Sequence, residues 1–413
     1  MPKINIFYWN MLIMAFISSS FSIAMVYDNR FFPLFARPRI KVDGLPSSFA
    51  VDYLVSTASR AFDNDEGETG IPELFGNFDL ATLGRAFTAS GRTNPIRSDL
   101  QASNSKLPFD MEGKIQSQGV AFSYYQQLVP WLSLGFSWFF MRVNSRQLFI
   151  LQKQGGPPLG PGDVLEVNDT RRAMFSALNL RAPSSAQLGF GDIDSFLRFG
   201  WFREYTLKFR RIDAGLSLGL LIPTGLIHEL NSPASVPFGG NGHWGFYVSA
   251  DALFELREDL KTGVLLRASK RLPNTKIRRM PADGEPQIFG TIVGPARVNP
   301  GFTFIFSPYF ILENLRKGLG IGLYYTLTSH GEDKWADKRS SQTVPVKLNQ
   351  VDDLSSWGSD YVTINVFYDF GKEKVQRSVD PIISFRWDIP ANLFIAKRVV
   401  RTHEIALGVE FVF

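Results

Sequence analysis

Glu404-Ile405-Ala406-Leu407-Gly408-Val409-Glu410-Phe411-Val412-Phe413 puts five large apolar side chains on odd positions, with Glu, Ala, Gly and Glu on most of the even ones. Successive side chains of a β-strand point to opposite faces, so this stretch reads as a strand with one apolar and one small or polar face. The same period recurs upstream. Leu132, Leu134, Phe136, Trp138 and Phe140 alternate with mostly small residues, and Phe246, Val248, Ala250, Ala252, Phe254 and Leu256 alternate with Tyr247, Ser249, Asp251 and Glu255. Leu319, Ile321, Leu323, Tyr325 and Leu327 stand against Gly320, Gly322, Tyr324 and Thr326. Val362, Ile364, Val366, Tyr368 and Phe370 stand against Thr363, Asn365 and Asp369. A soluble sandwich alternates in the same way, so period alone leaves the class open.

Length and spacing narrow it. The pattern predicts strands at 49–60, 114–126, 131–143, 190–201, 208–222, 243–256, 262–271, 300–312, 317–328, 360–370, 379–389 and 402–413. Most exceed the ~5–6 residues of globular strands and suit a tilted membrane strand. Short connections near 127–130, 202–203, 257–261, 313–316 and 371–377 alternate with long ones at 61–113, 144–189, 223–242, 272–299, 329–359 and 390–401. Outer-membrane barrels carry short periplasmic turns and long extracellular loops, and an even strand count puts both ends of the sheet on one side. The expected fold is an all-β transmembrane antiparallel barrel of about twelve strands. Aromatics fall at the expected interfaces: Tyr124, Trp131, Trp201, Phe310, Phe370 and Phe411 at the inner ends, Trp138, Trp244, Tyr325 and Trp387 nearer the outer ones.

The first residues read as an export signal. Lys3 precedes the apolar run Met11 to Ile17, and Ser22-Ile23-Ala24 offers small residues for cleavage before Met25. Seven apolar residues are too few to cross a bilayer as a helix. The chain therefore divides into a signal peptide at 1–24, a periplasmic segment at 25–48 and a barrel at 49–413. Within the first long loop, Ile71, Leu74, Phe75 and Phe78 fall at helical spacing after Pro72, as in a plug or lid, or a helix packed on the rim. The run Gly155 to Gly162 reads as a loop tip.

Composition agrees. Charged residues are 20% of the 413 and aromatics 14%, with 37 Phe, which suits an aromatic face turned to something other than water. A net charge of +5, spread along the chain, gives no nucleic-acid footprint. Without cysteine there is no disulfide framework or thiol nucleophile, and no metal-ligand spacing or phosphate-binding loop implies a cofactor. The four histidines, His228, His243, His330 and His403, stand in no hydrolase motif, so an enzyme is not expected; a rim hydrolase built on Asp192 or Asp194 with His243 is the weakest reading.

Leu188-Gly189-Phe190-Gly191-Asp192-Ile193, followed by Gly215-Leu216-Ser217-Leu218-Gly219 running to Pro223-Thr224-Gly225, resembles the signature of barrels associated with phenol meta-pathway degradation. Those are outer-membrane transporters similar in style to the long-chain fatty-acid transporters. The resemblance implies a channel or passive transporter for small molecules, apolar ones included. A structural or surface-interaction barrel with binding loops is the alternative. Pore-lining candidates are Asp192, Asp194, Arg198, Asp251, Glu255, Arg267 and Asn365, since charge in a bilayer must face water or other charge. They equally suit a lumen knitted shut by ion pairs. With the turn centred near Asp259, Asp251 and Arg267 are expected to lie opposite each other. Lipid, the barrel-assembly machinery and a small solute are the implied partners.

The terminal strand resembles the assembly signal of such barrels, with Phe411 and Phe413 as its recognised residues. Deleting Phe413 should leave the protein in the periplasm. Fractionation showing wild-type levels in the outer membrane would contradict this.

Overall fold

The computed structural model describes residues 29–34, 47–65, 67–76, 79–96, 109–151, 161–205, 209–372 and 379–413. The expected export signal at 1–24 lies outside them. A sheet of twelve antiparallel strands closes on itself. In chain order these are β1 (Ser47–Ala58), β2 (Phe109–Val129), β3 (Leu132–Leu151), β4 (Ser184–Phe190 and Ile193–Glu204), β5 (Arg211–Ile222) and β6 (Gly245–Arg257). β7 (Leu260–Arg271), β8 (Phe302–Arg316), β9 (Leu319–His330), β10 (Trp357–Asp369), β11 (Asp380–Ala391) and β12 (His403–Val412) complete the ring. Closure runs between the first strand and the last, from Ser48 opposite Val412 to Thr57 opposite His403. Ser47 and Phe413 exchange backbone hydrogen bonds of 3.0 and 2.8 Å at its end.

All twelve strands lie where the alternation put them. β2 and β3 are longer than expected, at 21 and 20 residues. Their outward positions beyond the lipid band are Lys114, Gln116 and Gln118 on one strand and Arg142, Asn144 and Arg146 on the other. Outward residues there are mostly polar, and the hydrogen-bond ladder continues without an apolar alternation to mark it. β4 is interrupted at Gly191 and Asp192, and both of its pieces pair with β3.

The apolar face points outward. Leu218, Leu323 and Leu407 are 50–55% exposed, and Trp131 and Trp244 are exposed near opposite ends. A continuous apolar belt of this kind around a closed barrel belongs in lipid. With long loops at one end and short turns at the other, the molecule is an outer-membrane β-barrel, long loops outward.

Those loops are folded. Asn274–Met280, Ile292–Asn299 and Lys334–Asp337 form a three-stranded sheet above the barrel. Helices α1 (Leu80–Ala89), α2 (Pro161–Ala177) and α3 (Leu348–Ser355) lie in the same region. Asp79 caps α1 by accepting the amides of Ala81 and Thr82. The helical spacing read at 71–78 is realised as a 3-10 turn at Ile71–Phe75, with α1 following it; Phe78 lies outside the described residues. Most of the expected loop tip at 155–162 also lies outside them, and its last residues open α2.

Leu218→Arg should destabilise the barrel by about 2–4 kcal/mol near the bilayer midplane, read by urea titration in micelles. On the other face, Ser217 is buried, with Arg198 and Ser249 as its register partners. Ser217→Arg would press one guanidinium against another, so its effect should be no milder. A Ser217→Arg protein as stable as wild type would mean an open interior at that level.

Candidate functional site

The barrel interior is packed with charge in neutralising groups. Arg198 donates from Nε and Nη2 to Asp251 at 2.5–3.1 Å and from Nη2 to Asp213 at 2.9 Å. Arg267 donates to Asp194 at 2.9 Å, and Asp194 also accepts from the Tyr247 hydroxyl at 2.7 Å, with the guanidinium 3.5 Å from the Tyr247 ring centroid. Arg386 bridges Asp388 and Glu404 at 2.9 Å each. Glu255 faces Arg210 and Arg211 at 3.5 and 3.8 Å near the short-turn end. Asn365 is buried in register with Arg386 and Gly322.

All seven candidates thus point inward, yet the pairing expected of Asp251 and Arg267 does not form. The turn is centred between Glu258 and Asp259, and a bulge between Leu260 and Lys261 moves the β6–β7 register one residue further, so Arg267 faces Ser249 and Asp251 faces Leu265. Asp251 instead meets Arg198 of β4 across β5, and Arg267 meets Asp194 of β4 across β6 and β5. Gly215 and Gly219 make that passage possible. A Cβ at Gly215 would lie 2.5 Å from the Arg198 guanidinium carbon, and one at Gly219 would lie 2.0 Å from the Tyr247 ring. The glycine spacing Gly215-x-x-x-Gly219 is therefore clearance for side chains passing overhead.

The two halves of the quoted motif touch. Where β4 breaks, the Gly191 carbonyl accepts from Thr224 Oγ1 at 2.7 Å and Trp138 Nε1 at 3.2 Å. Asp192 accepts the amides of Gly225 and Gly240 and Arg271 Nη1, at 2.8–3.1 Å. The amides of the break are met by the Phe139 and Phe238 carbonyls, and the Asp192 carboxylate fixes the loop at 223–244 over the barrel mouth.

Under that loop lies a cavity of about 220 Å³. Its wall includes Arg30, Phe75, Arg278, His330, Trp335 and Trp357. These come from the N-terminal segment and three different loop regions, so no local motif announced them. The segment expected in the periplasm is in fact found inside the barrel over residues 29–34. Phe31 and Phe32 pack against Leu54, Phe139, Met141 and Val400, because their apolar surface finds an apolar wall there. Asn29 donates to the Pro237 carbonyl, the Val400 amide donates to the Arg30 carbonyl, and Thr402 Oγ1 donates to the Phe31 carbonyl. The 3-10 turn joins them, burying Ile71 and Leu74 in the same cluster.

Burial, reinforced by nearby arginines, pushes the His228 and His243 imidazoles down to about 4, so both are neutral at neutral pH. His243 fits this state: Nδ1 donates to the Leu272 carbonyl at 2.9 Å, leaving Nε2 to accept from Arg278 at 3.1 Å. His330 lies between Thr303 and Asp333, at 2.8 and 3.0 Å, and stacks on Trp357.

Arg198→Ala should cost about 3–5 kcal/mol, because it strands two buried carboxylates. A cycle with Asp251→Ala should show coupling of about 0.5–3 kcal/mol, while an Asp251/Arg267 cycle should show much less. Equal coupling in both cycles would mean that the register is wrong.

No family model matches the sequence, and no curated protein matches it. Among solved structures, the chain is similar to the COG4313 outer membrane channel from Pseudomonas putida F1, with 11% identity, 91% of this chain and 100% of that one covered, and a TM-score of 0.49. The Pseudomonas putida toluene transporter TodX matches at 9% identity over 90% of each chain, with a TM-score of 0.32. A Pseudomonas aeruginosa FadL homologue matches at 9% identity over 90% of each, with a TM-score of 0.31. The translocator domain of the autotransporter NalP from Neisseria meningitidis stands beside them at 8% identity over 90% of each, with a TM-score of 0.35. At these values the likeness is one of barrel outline, and it carries no functional weight.

Proposed function

We propose that the protein is a passive outer-membrane channel for small molecules, apolar ones among them, held closed at rest by its own N-terminal segment. The observation that carries this reading is the cavity at the outer mouth, whose wall is built partly by Asn29, Arg30 and Phe31. Concave sites with an apolar lining and a few polar groups are where small ligands bind. Here such a site adjoins the segment that fills the lumen below it. Phe31 and Phe32 hold that segment by apolar burial and a few hydrogen bonds, so it can leave without unpairing a barrel strand. The seven inward-facing polar residues would then line the opened path.

One observation favours the alternative of a structural or surface-interaction barrel. The ion pairs of Arg198, Arg267 and Arg386 are buried and fill the interior.

Liposome swelling separates the two. The wild-type barrel should pass small neutral solutes above the rate of empty liposomes, and the Phe31→Ala, Phe32→Ala double variant should pass them several times faster. If neither protein passes any solute, the barrel is structural.

A further inference from the structure

The channel reading says that the cavity takes a small molecule, and the wall specifies its chemistry further. Arg30 and Arg278 both line the cavity, and neither makes an ion pair among the described residues. Arg30 Nη1 donates to the carbonyls of Leu74 and Leu354 at 3.2 Å, and its guanidinium sits 4.6 Å from the Phe75 ring centroid. Arg278 Nη2 donates to Asn274 Oδ1 and His243 Nε2 at 3.1 Å, and its guanidinium sits 5.3 Å from the Trp335 ring centroid. Burial lowers both arginines to about 10, which leaves them charged at neutral pH. A third arginine in the wall, Arg271, is neutralised by Asp192 at 2.9 Å.

The carboxylate that acts on both free guanidiniums is Asp333. It is already engaged by His330 Nε2 at 3.0 Å and the Gly301 amide at 2.8 Å. His228 and His243 add no charge near neutrality. Two cations facing one shared anion leave the cavity with a positive excess.

A second observation is independent of charge. Arg278 Nε and Trp335 Nε1 are buried, and neither finds an acceptor among the described residues. Both belong to wall residues that pack against each other, guanidinium over indole. Buried donors without an acceptor are unfavourable, so a small turn of either side chain towards an oxyanion in the cavity would be favourable. The lining also carries four aromatic rings, Phe31, Phe75, Trp335 and Trp357, beside the aliphatic Leu74, Val298, Val351 and Leu354.

We propose that the cavity binds a small organic monoanion, a carboxylate carried on a planar ring. Arg278 and Arg30 would hold the carboxylate, and the aromatic wall would hold the ring. The volume matches roughly seven waters at ~30 Å³ each, room for one six-membered ring with its acid group. A guanidinium matches a carboxylate in plane and in donor spacing, which favours this anion over a neutral ring. The proposal rests on reading the cavity as the place where the channel loads its solute.

Calorimetric titration of the full-length protein in micelles tests it with three probes: benzoate, benzyl alcohol (ring without charge) and acetate (charge without ring). Benzoate should bind at least tenfold tighter than either of the others. Arg278→Gln should weaken benzoate at least tenfold, Arg278→Lys should keep part of the affinity, and Asp333→Asn should strengthen binding by removing the competing carboxylate. Strengthening cannot arise from a misfolded variant. Equal affinity for benzyl alcohol and benzoate, an unchanged Arg278→Gln protein, or no binding of benzoate would each overturn the proposal. Swelling with neutral solutes keeps this separate from the channel reading. Passage without benzoate binding sinks the anion site alone, and benzoate binding without passage sinks the channel alone.

Discussion

Everything in this molecule depends on the ladder between Ser47–Ala58 and His403–Val412, because pairing the first strand with the last leaves the sheet no edge. In lipid an unpaired strand edge would leave rows of amides and carbonyls without partners, and closure removes that cost along the whole sheet. Closure then divides each strand's side chains between two environments. Outward positions meet hydrocarbon and are large and apolar. Inward positions meet only one another, across a ring twelve strands around.

That confinement sets the chemistry of the interior. A charge placed there needs an opposite charge, and the nearest suitable partner often lies one strand beyond the adjacent one. Arg198 reaches Asp251 across the strand Arg211–Ile222, over Gly215, and Arg267 reaches Asp194 across that strand and Gly245–Arg257, beside Gly219. Small residues on one strand are thus a condition for ion pairs between its neighbours. Both features come from the same need to neutralise charge without water.

At the outer end the same logic builds a site. The interruption at Gly191 and Asp192 exposes a carbonyl that Thr224 and Trp138 satisfy, and the Asp192 carboxylate accepts loop amides at Gly225 and Gly240, which ties down the loop over the mouth. Asn29, Arg30 and Phe31 form part of the wall, and the folded loops supply most of the rest. The resulting space holds cations and aromatic rings from distant parts of the chain.

The sequence by itself determined the strand number, the face each residue presents, the end carrying the long loops and the inward direction of Asp192, Asp194, Arg198, Asp251, Glu255, Arg267 and Asn365. These follow from alternation, a local property of an extended backbone, and from connection lengths. Only the tertiary structure decided which charges meet. The turn centre and a bulge after Leu260 together move the hairpin register by two residues, and partners lie on strands further round the sheet rather than across the turn. The long outward ladders of Phe109–Val129 and Leu132–Leu151 were invisible to an apolar pattern, since backbone pairing in water needs none. The lodging of Phe31 and Phe32 in the lumen, and the grouping of Arg30, Arg278 and Trp335 around one cavity, join residues up to 371 positions apart. No period or spacing encodes such contacts. They exist because a closed barrel with folded loops brings distant segments to one mouth.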